Sequence, residues 1–276
     1  MLQSTNKVIC PSCSSENLQT YSFFKKRRHL DLRICLNCDL IFKNLKLSTQ
    51  PLKVEKGDYY SAKKIGSHVN DRYIKHFTRR AKNHYKYISK YFDNNTEKSV
   101  LDIGSGAGIF LSYLESKGWE VKGIEPDPLM QDYAKHHLNL DVDRELFSEW
   151  VSGKSYGLIY LSHVLDDLPD LQDVLDKIYS NLKPGGLVFI EVPNHTWPFR
   201  LNFEKEEDIE MGNYFFSIKS LSNSIERNNF EILDIKTFHL VHMNTLYQKL
   251  ISPLMIFLKL KPKSYRPYLR LIAKKI

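Results

Sequence analysis

The stretch Val100-Leu101-Asp102-Ile103-Gly104-Ser105-Gly106-Ala107-Gly108 decides the fold of this chain. An apolar strand runs directly into a glycine-rich loop, and glycine lets a backbone turn tightly and approach a ligand closely. The glycine spacing is G-x-G-x-G, whereas dinucleotide-binding loops use G-x-G-x-x-G. Asp102 would repel a pyrophosphate, because like charges repel. The loop therefore favours a ligand that carries a cationic amino group and a sulfonium.

Strands and helices alternate around this loop, which is typical of a parallel, doubly wound α/β sheet. Ligands of such sheets bind at the carboxyl ends of the strands. Helical spacing of apolar residues also predicts a leading helix over 71–92. The predicted strands cover 99–103, 120–124, 156–161, 187–192 and 230–235, and the predicted helices cover 107–117, 128–137, 171–182 and 220–227.

A second acidic residue, Glu125, stands at the end of the next predicted strand. A carboxylate there can accept hydrogen bonds from both ribose hydroxyls of an adenosine. Pro126 and Asp127 then open the following helix. The alternative interpretation of Glu125 is an ordinary exposed acid at a strand end.

Four cysteines form two C-x2-C pairs that are separated by 21 residues. This spacing predicts a tetrahedral four-thiolate site for Zn²⁺, which is structural because it leaves no open position for a substrate. Segments 20–24 and 29–34 predict a hairpin between the pairs, so a zinc ribbon is expected over 1–45. Two disulfides and an iron site are the alternatives. The four predicted ligands are Cys10, Cys13, Cys35 and Cys38.

Two details of the ribbon bear on its turns and its partners. Asp39 follows the second pair, where such turns often place glycine, and Asp tolerates the left-handed backbone required there. The basic run 25–29 is expected at the hairpin tip. It is either a solvated tip or a contact for an anionic partner.

The net charge of +8 resides in the C-terminal tail, 246–276, which holds eight bases and no acid. The rest of the chain balances 32 bases against 32 acids. Apolar residues at 254–260 and 268–272 lie among these bases, which predicts an amphipathic tail on an anionic membrane surface. Packing of the tail on the main domain or on a partner subunit is the alternative.

The sequence shows no secretory signal and no apolar stretch of the roughly 20 residues that a bilayer requires. A cytoplasmic protein in peripheral contact with the inner face of the membrane is therefore expected. The predicted organisation is the zinc ribbon over 1–45, a linker and leading helix over 46–98, the ligand-binding domain over 99–245 and the tail over 246–276.

Four ordered segments resemble the class I S-adenosylmethionine (SAM)-dependent methyltransferases: VLDIGSGAG from Val100, VKGIEPD from Val121, SHVLDDLP from Ser162 and LKPGGLVFIEVPN from Leu182. The resemblance covers 72–236. It implies a Rossmann-like, seven-stranded doubly wound sheet whose last strand is antiparallel, with SAM in the crevice above 104–108. It also implies that Asp102 organises the loop and the methionine end and that Glu125 holds the ribose. The implied cofactor-binding residues are Asp102, Gly104, Ser105, Gly106, Gly108, Glu125, Pro126, Asp127 and Ser162.

A narrower resemblance links the chain to methyltransferases of bacterial sugar and surface-polysaccharide pathways. It rests on the ribbon, on Tyr59-Tyr60 and on Tyr214-Phe215-Phe216-Ser217. The resemblance implies a small-molecule or lipid-linked sugar acceptor. The C-methylating members carry a His-Glu-His-type stretch where this chain reads Glu210-Met211-Gly212-Asn213, which argues against C-methylation.

Methyl transfer is an in-line displacement, to which the enzyme contributes proximity and alignment. A general base helps when the acceptor is a hydroxyl. The candidates are His163 and His195, each just after a predicted strand, whereas Tyr214 could line the acceptor pocket. The Asp166-Asp167 pair is either a pocket contact or a solvated helix approach. Each candidate could instead be a packing residue.

Two other functions fit the pattern less well. Some bacterial rRNA methyltransferases join a cysteine module to this fold, and the bases at 25–28 could contact phosphate. The segment 191–194 favours the sugar-pathway group, so a nucleic-acid partner is not expected. A SAM-fold binding module without catalysis is the third hypothesis, and the intact loop with Glu125 argues against it.

Overall fold

The computed structural model describes residues 8–21, 32–44, 69–93, 96–195, 212–238 and 268–276. Its strands are β1 (Leu18–Thr20), β2 (Leu32–Cys35), β3 (Ile41–Lys43), β4 (Ser99–Ile103), β5 (Glu120–Ile124), β6 (Val142–Asp143), β7 (Tyr156–Ser162), β8 (Leu182–Pro193), β9 (Tyr214–Phe215), β10 (Phe230–Phe238) and β11 (Tyr268–Lys275). Its helices are α1 (Asp71–Ile88), α2 (Ile109–Glu115), α3 (Pro128–His137), α4 (Leu171–Asn181) and α5 (Ile218–Glu226).

Seven strands form one mixed sheet in the order β10-β11-β8-β7-β4-β5-β6. β4 pairs in parallel with both β5 and β7, and β5 pairs in parallel with β6. Asp102 on β4 lies beside Gly123 on β5 and Tyr160 on β7, so these three strands end at the same edge of the sheet. The predicted Rossmann-like fold class is confirmed.

The last strand, β11, corrects the prediction for the C-terminal tail. Residues 268–275 form part of the sheet core, so they are not a membrane anchor, and the domain extends beyond residue 245. Bases alternate with apolar residues in a strand as well as in an interfacial segment, which is why the sequence misled. The rest of the predicted tail, 246–267, lies outside the described residues. The fully buried side chains of β11 are Leu269, Leu271, Ile272 and Ala273.

Two bases of this strand bind groups of the protein itself. The Arg270 guanidinium donates to the fully buried Glu191 carboxylate, with an Nη2–Oε2 distance of 2.6 Å. The Lys275 ammonium donates to the carbonyl oxygens of Tyr179 and Leu182 at 2.7 and 2.8 Å. Because both charged groups already donate to groups of the protein, they contribute little to binding an anionic lipid surface.

The chain divides into two compact units. The first comprises 1–49, 165–175 and 191–271 and contains the cysteine pairs and α5. The second comprises 50–164, 176–190 and 272–276 and contains the glycine-rich loop. Strands β8 and β11 contribute residues to both units.

In the first unit, β1, β2, β3 and β9 form a four-stranded sheet in that order, with antiparallel pairing throughout. Leu32, Ile41 and Phe215 form its buried apolar cluster. The predicted hairpin is present in its described parts, but 22–31, including the basic run, lie outside them. The sequence did not predict β3 or β9, because each is too short to show a periodic pattern.

In the second unit, α1 begins at the predicted residue, where the Asn70 side chain accepts a hydrogen bond from the Tyr73 amide at 3.0 Å. It ends at Ile88 and continues as a short 3₁₀ turn, earlier than the predicted 92. His84 on its buried face contacts the Tyr160 hydroxyl at 2.6 Å. No helix among the described residues is both long and apolar enough to cross a membrane.

Candidate functional site

A pocket lies beside the glycine-rich loop in the second unit, at the carboxyl end of β4. Its cavity volume is about 90 Å³, and about 480 Å³ when the space in its open mouth is included. The lining residues come from α1, the loop, the start of α2 and the end of β7. They are Tyr73, Phe77, Arg80, Ala81, Asp102, Gly104, Ser105, Gly106, Ala107, Ile109, Phe110, Tyr160 and Ser162.

The first glycine of the loop is required by both its conformation and its surroundings. Gly104 has a φ of +71°, and a Cβ placed there would lie 2.5 Å from Cγ2 of Val164. Its N–H donates to the carbonyl oxygen of Ile124 at 2.8 Å, which ties the loop to β5. Gly106 also has a left-handed φ, +55°. The loop can therefore present its backbone to a ligand at close range.

Some buried polar atoms of the pocket wall have no hydrogen-bond partner among the described residues, including Oδ1 of Asp102 and Oγ of Ser105. Asp102 is 2% exposed. Burial and the neighbouring Glu125 charge raise the pKa of Asp102 well above its usual range, whereas Arg80 lowers it. Buried polar atoms are normally satisfied by a hydrogen-bond partner, and a polar ligand bound in the pocket could supply it. The amino group of SAM would supply the donor and cation that Asp102 needs, so the residues present fit this cofactor.

Glu125 lies behind the loop and does not line the pocket. Its Oε2 accepts from the Gly106 amide at 2.7 Å and its Oε1 accepts from the Asp127 amide at 2.9 Å. Burial raises the pKa of Glu125 to about 7, and these two hydrogen bonds oppose that rise. Each carboxylate oxygen retains a lone pair that could accept from a ribose hydroxyl.

Besides Glu125, three further residues predicted to bind the cofactor lie outside the pocket wall. Gly108 has a φ of +74°, and a Cβ there would lie 2.6 Å from Leu140, so glycine allows the start of α2 to pack closely. Asp127 caps α3, where its side chain accepts from the Met130 amide at 2.9 Å. Pro126 joins Glu125 to that cap. The structure thus gives Gly108 and Asp127 structural roles.

Sequence reasoning missed the contribution of α1 to this site. Tyr73, Phe77 and Arg80 lie on one helical face that borders the loop, as their spacing of four and three residues requires. The Arg80 Nη2 donates to Oγ of Ser162 at 2.6 Å. A guanidinium suits a carboxylate such as the methionine end of SAM. The sequence feature that could have revealed this contribution is Arg80, a basic residue within the apolar stripe of the predicted helix over 71–92.

The three catalytic candidates lie in different surroundings. His163, in the second unit, follows β7 and has a φ of +60°, which is uncommon for residues other than glycine and is frequent at functional sites. His195, in the first unit, donates its backbone N–H to the Phe216 carbonyl oxygen at 2.9 Å. Both side chains are half-buried. His163 does not line the pocket as described.

Tyr214 corrects the prediction of an acceptor-pocket tyrosine. Its ring is 4% exposed, and its hydroxyl accepts a hydrogen bond from the Leu171 amide at 3.0 Å. Leu171 is the first residue of α4, so the hydroxyl satisfies a helix terminus. Burial raises the pKa of Tyr214 to about 12, so the phenol stays protonated near neutral pH.

The four cysteine sulfurs of the first unit lie within 4.8 Å of one another. The Sγ–Sγ distances are 3.5 Å for Cys10–Cys38 and 3.5 Å for Cys13–Cys35, and none forms a disulfide. Zn–S bonds of about 2.3 Å in a tetrahedron place sulfurs about 3.8 Å apart. The donor set and its spacing therefore fit one zinc ion.

The two cysteine turns share the same backbone hydrogen bonds. The Ser14 amide donates to the Cys10 carbonyl oxygen, and the Asp39 amide donates to the Cys35 carbonyl oxygen, both at 2.9 Å. Ser14 and Asp39 have φ values of +56° and +64°. The left-handed backbone expected at Asp39 is confirmed.

The sequence of the chain matches the family described as "Methyltransferase domain" over residues 73–235. The ubiquinone biosynthesis O-methyltransferase of Histophilus somni (strain 2336) is 26% identical over 123 residues, which cover 41% of this chain and 52% of that relative. The enzyme of the same name from Pectobacterium atrosepticum is 30% identical over 118 residues, with coverages of 40% and 48%. The chain thus spans about half the length of the curated relatives it matches.

Solved structures share the fold. A SAM-dependent methyltransferase from Archaeoglobus fulgidus superposes with a TM-score of 0.55 at 24% identity, over 72% of this chain and 94% of that one. This likeness concerns the fold alone, whereas the family match covers more than half of the sequence and includes the glycine-rich loop. The chain therefore belongs to the methyltransferase domain family.

Proposed function

We propose that this chain transfers a methyl group from SAM to a hydroxyl group of a small-molecule acceptor. The observation that carries the proposal is the pocket at the end of β4, where buried polar atoms of Asp102 and Ser105 have no partner among the described residues. Bound SAM would supply an electrophilic methyl group on its sulfonium. The protein would hold the amino group with Asp102, the carboxylate with Arg80 and the ribose with Glu125.

The acceptor that we propose is a sugar or glycolipid intermediate of surface-polysaccharide synthesis. This rests on the resemblance carried by the ribbon and by 214–217. The names of the curated relatives favour a hydroxyl of another small organic molecule. Both acceptors would require removal of a hydroxyl proton, for which His163 is the proposed base. A lipid-linked acceptor loses support from 268–275, because that segment is a sheet strand.

The first test is calorimetry with SAM. Asp102→Ala should weaken binding by about 10- to 100-fold, the usual loss for a hydrogen bond with a charged partner. Asp132→Ala is the matched control, since Asp132 is an exposed acid on α3, and it should bind like the wild type. A wild-type protein that ignores SAM, or binds NAD instead, contradicts the proposal.

The second test uses SAM labelled on its methyl group. Nucleotide-linked deoxysugars and 3,4-dihydroxybenzoate are the two acceptor probes, one for each class of hydroxyl. Transfer to the sugars alone supports the polysaccharide proposal, and transfer to the phenol alone overturns it. An rRNA transcript as a third probe tests the alternative suggested by the basic run.

A further inference from the structure

The cysteine ribbon and β9 form one hydrogen-bonded unit. Phe42 on β3 pairs with Tyr214 on β9 in antiparallel register. The Lys43 amide donates to the Asn213 carbonyl oxygen at 3.0 Å, which extends the pairing by one residue. β3, which follows the second cysteine pair in the sequence, therefore pairs with one edge of β9.

β9 and the residue before it also hold the loop between β7 and α4. The amides of Asn213 and Tyr214 both donate to the carbonyl oxygen of Asp166, at 2.8 and 3.0 Å. The Asn213 side-chain amide donates to the carbonyl oxygen of Asp167 at 2.7 Å, and the Tyr214 hydroxyl accepts from Leu171. Asn213 and Tyr214 are 2% and 4% exposed. Asp166, Asp167 and Leu171 are thus hydrogen-bonded to this short buried segment.

The cysteine turns are tied directly to the start of α5 as well. The Ser12 hydroxyl donates to the Ser220 carbonyl oxygen at 2.8 Å, and the Ser217 hydroxyl donates to the Cys38 carbonyl oxygen at 3.4 Å. Ser217 is also the N-cap of α5. Both turns therefore share hydrogen bonds with the segment that follows β9.

We infer that the four-cysteine cluster positions the loop at 166–171, with Asn213 and Tyr214 as the positioning residues between them. The metal would fix β3, β3 would fix β9, and β9 would fix the loop. The ribbon has a small apolar cluster, so it depends on the metal for its rigidity. The inference rests on the proposed function only for its consequence, because 166–171 follow Ser162 of the pocket wall in the sequence.

The test is amide hydrogen exchange of the full chain, followed by mass spectrometry of peptides. The chain is loaded with Zn²⁺, stripped with dipicolinate and then reloaded. Stripping should speed exchange at 166–171 and 213–216 by at least about tenfold. Exchange at 100–108 and the calorimetric Kd for SAM should stay within about twofold. Reloading with Zn²⁺ should restore the original exchange rates.

Tyr214→Phe tests the contact between β9 and the loop by itself, because it keeps the ring and removes the hydroxyl that accepts from Leu171. The zinc-loaded variant should show fast exchange at the start of α4 that added Zn²⁺ does not reverse, with its zinc content and Kd for SAM unchanged. Tyr179→Phe is the matched control. Tyr179 lies on α4, and its hydroxyl donates to the Ile276 carbonyl oxygen at 2.6 Å. Tyr179→Phe removes that hydrogen bond, and exchange at 166–171 should not change.

Two results overturn the inference. One is faster exchange at 8–21 and 32–44 after zinc removal with no change at 166–171. The other is loss of SAM binding together with the metal, which would mean that the metal supports the whole fold. Failure of the zinc-loaded wild type to bind SAM would count against the proposed function alone, because the exchange experiment needs no cofactor.

Discussion

Glu125 is a residue whose charge state matters to the proposed cofactor site. Burial raises the pKa of Glu125 to about 7, and two hydrogen bonds from backbone amides oppose this rise. A raised pKa means that the protonated acid is favoured in the fold, so its contribution to stability is present below its ordinary pKa and is lost as pH rises through about 7. Ribose hydroxyls donate more strongly to a carboxylate than to a carboxylic acid. Cofactor binding should therefore favour the ionised form.

SAM affinity should consequently rise between pH 6 and pH 8, by up to about tenfold for each pH unit below the pKa. Calorimetry at several pH values measures this directly. Glu125→Gln should bind more weakly and with a flat pH profile in this range. Glu115→Gln, at an exposed acid of α2, should retain the wild-type profile. A flat profile in the wild type would show that Glu125 does not titrate with cofactor binding.

The left-handed backbone of His163 permits a second test at this scale, since asparagine and glycine tolerate a φ of +60°. His163→Asn removes the base without adding backbone strain. Its melting temperature and SAM affinity should match the wild type, whereas methyl transfer to the probe that the wild type uses should fall about 10²- to 10⁴-fold. His163→Gly should lose activity equally. Retained activity in both variants would leave His163 with a packing role, and His195→Asn would then be the test of the second candidate.

Helix α1 is an element whose role the sequence predicted only in part. Its apolar stripe identified it as a leading helix, but the same face carries Arg80 into the pocket wall. Local patterns reveal which face of a helix is buried and not what that face meets. The same limit explains β9, whose two residues show no period and whose partner, β3, is far away in the sequence.

If Arg80 holds the methionine carboxylate, its loss should matter only to ligands that possess one. Arg80→Ala should weaken SAM binding by about 10- to 100-fold. Binding of 5′-methylthioadenosine, which lacks the carboxylate, should hardly change. Arg79→Ala, at the exposed neighbouring position, is the control. Equal losses for both ligands would assign Arg80 a structural role through Ser162.

At the scale of the whole molecule, the sequence predicted those parts of the fold whose pattern is local and repeated. The alternation of strands and helices over 99–238 matches the prediction, although the ends of several elements differ by a few residues and the short β6 was not predicted. The four cysteines lie together as predicted. The tail did not, because β11 enters the sheet between β8 and β10. Its bases suggested a membrane surface, whereas Arg270 reaches the buried Glu191. A strand that pairs with distant segments shows no local sequence pattern of that pairing. Because the pairing decides which face of the strand is buried, the local sequence could not predict what the basic side chains of β11 contact.

This placement makes the last nine residues essential to the fold. Deletion of 268–276 would expose the facing edges of β8 and β10 and would remove four fully buried side chains. Each large apolar side chain contributes about 1.5–3 kcal/mol, against a total stability of about 5–15 kcal/mol. Glu191, which is fully buried, would also lose its guanidinium partner, a change that costs several kcal/mol in buried pairs.

The truncated protein should therefore show no cooperative thermal unfolding by circular dichroism. Deletion of Ile276 alone, which is 70% exposed, should leave the transition in place. Anionic liposomes distinguish the strand from the anchor that the sequence suggested, because a buried strand has no free apolar face for a lipid surface. Charge reversal at Lys274, whose side chain is 38% exposed, should not alter co-sedimentation of the intact chain. A truncated protein that melts like the wild type would contradict the structural role of this strand. A full-length protein that binds anionic liposomes, together with a truncated protein that does not, would instead support a membrane contact at 268–276.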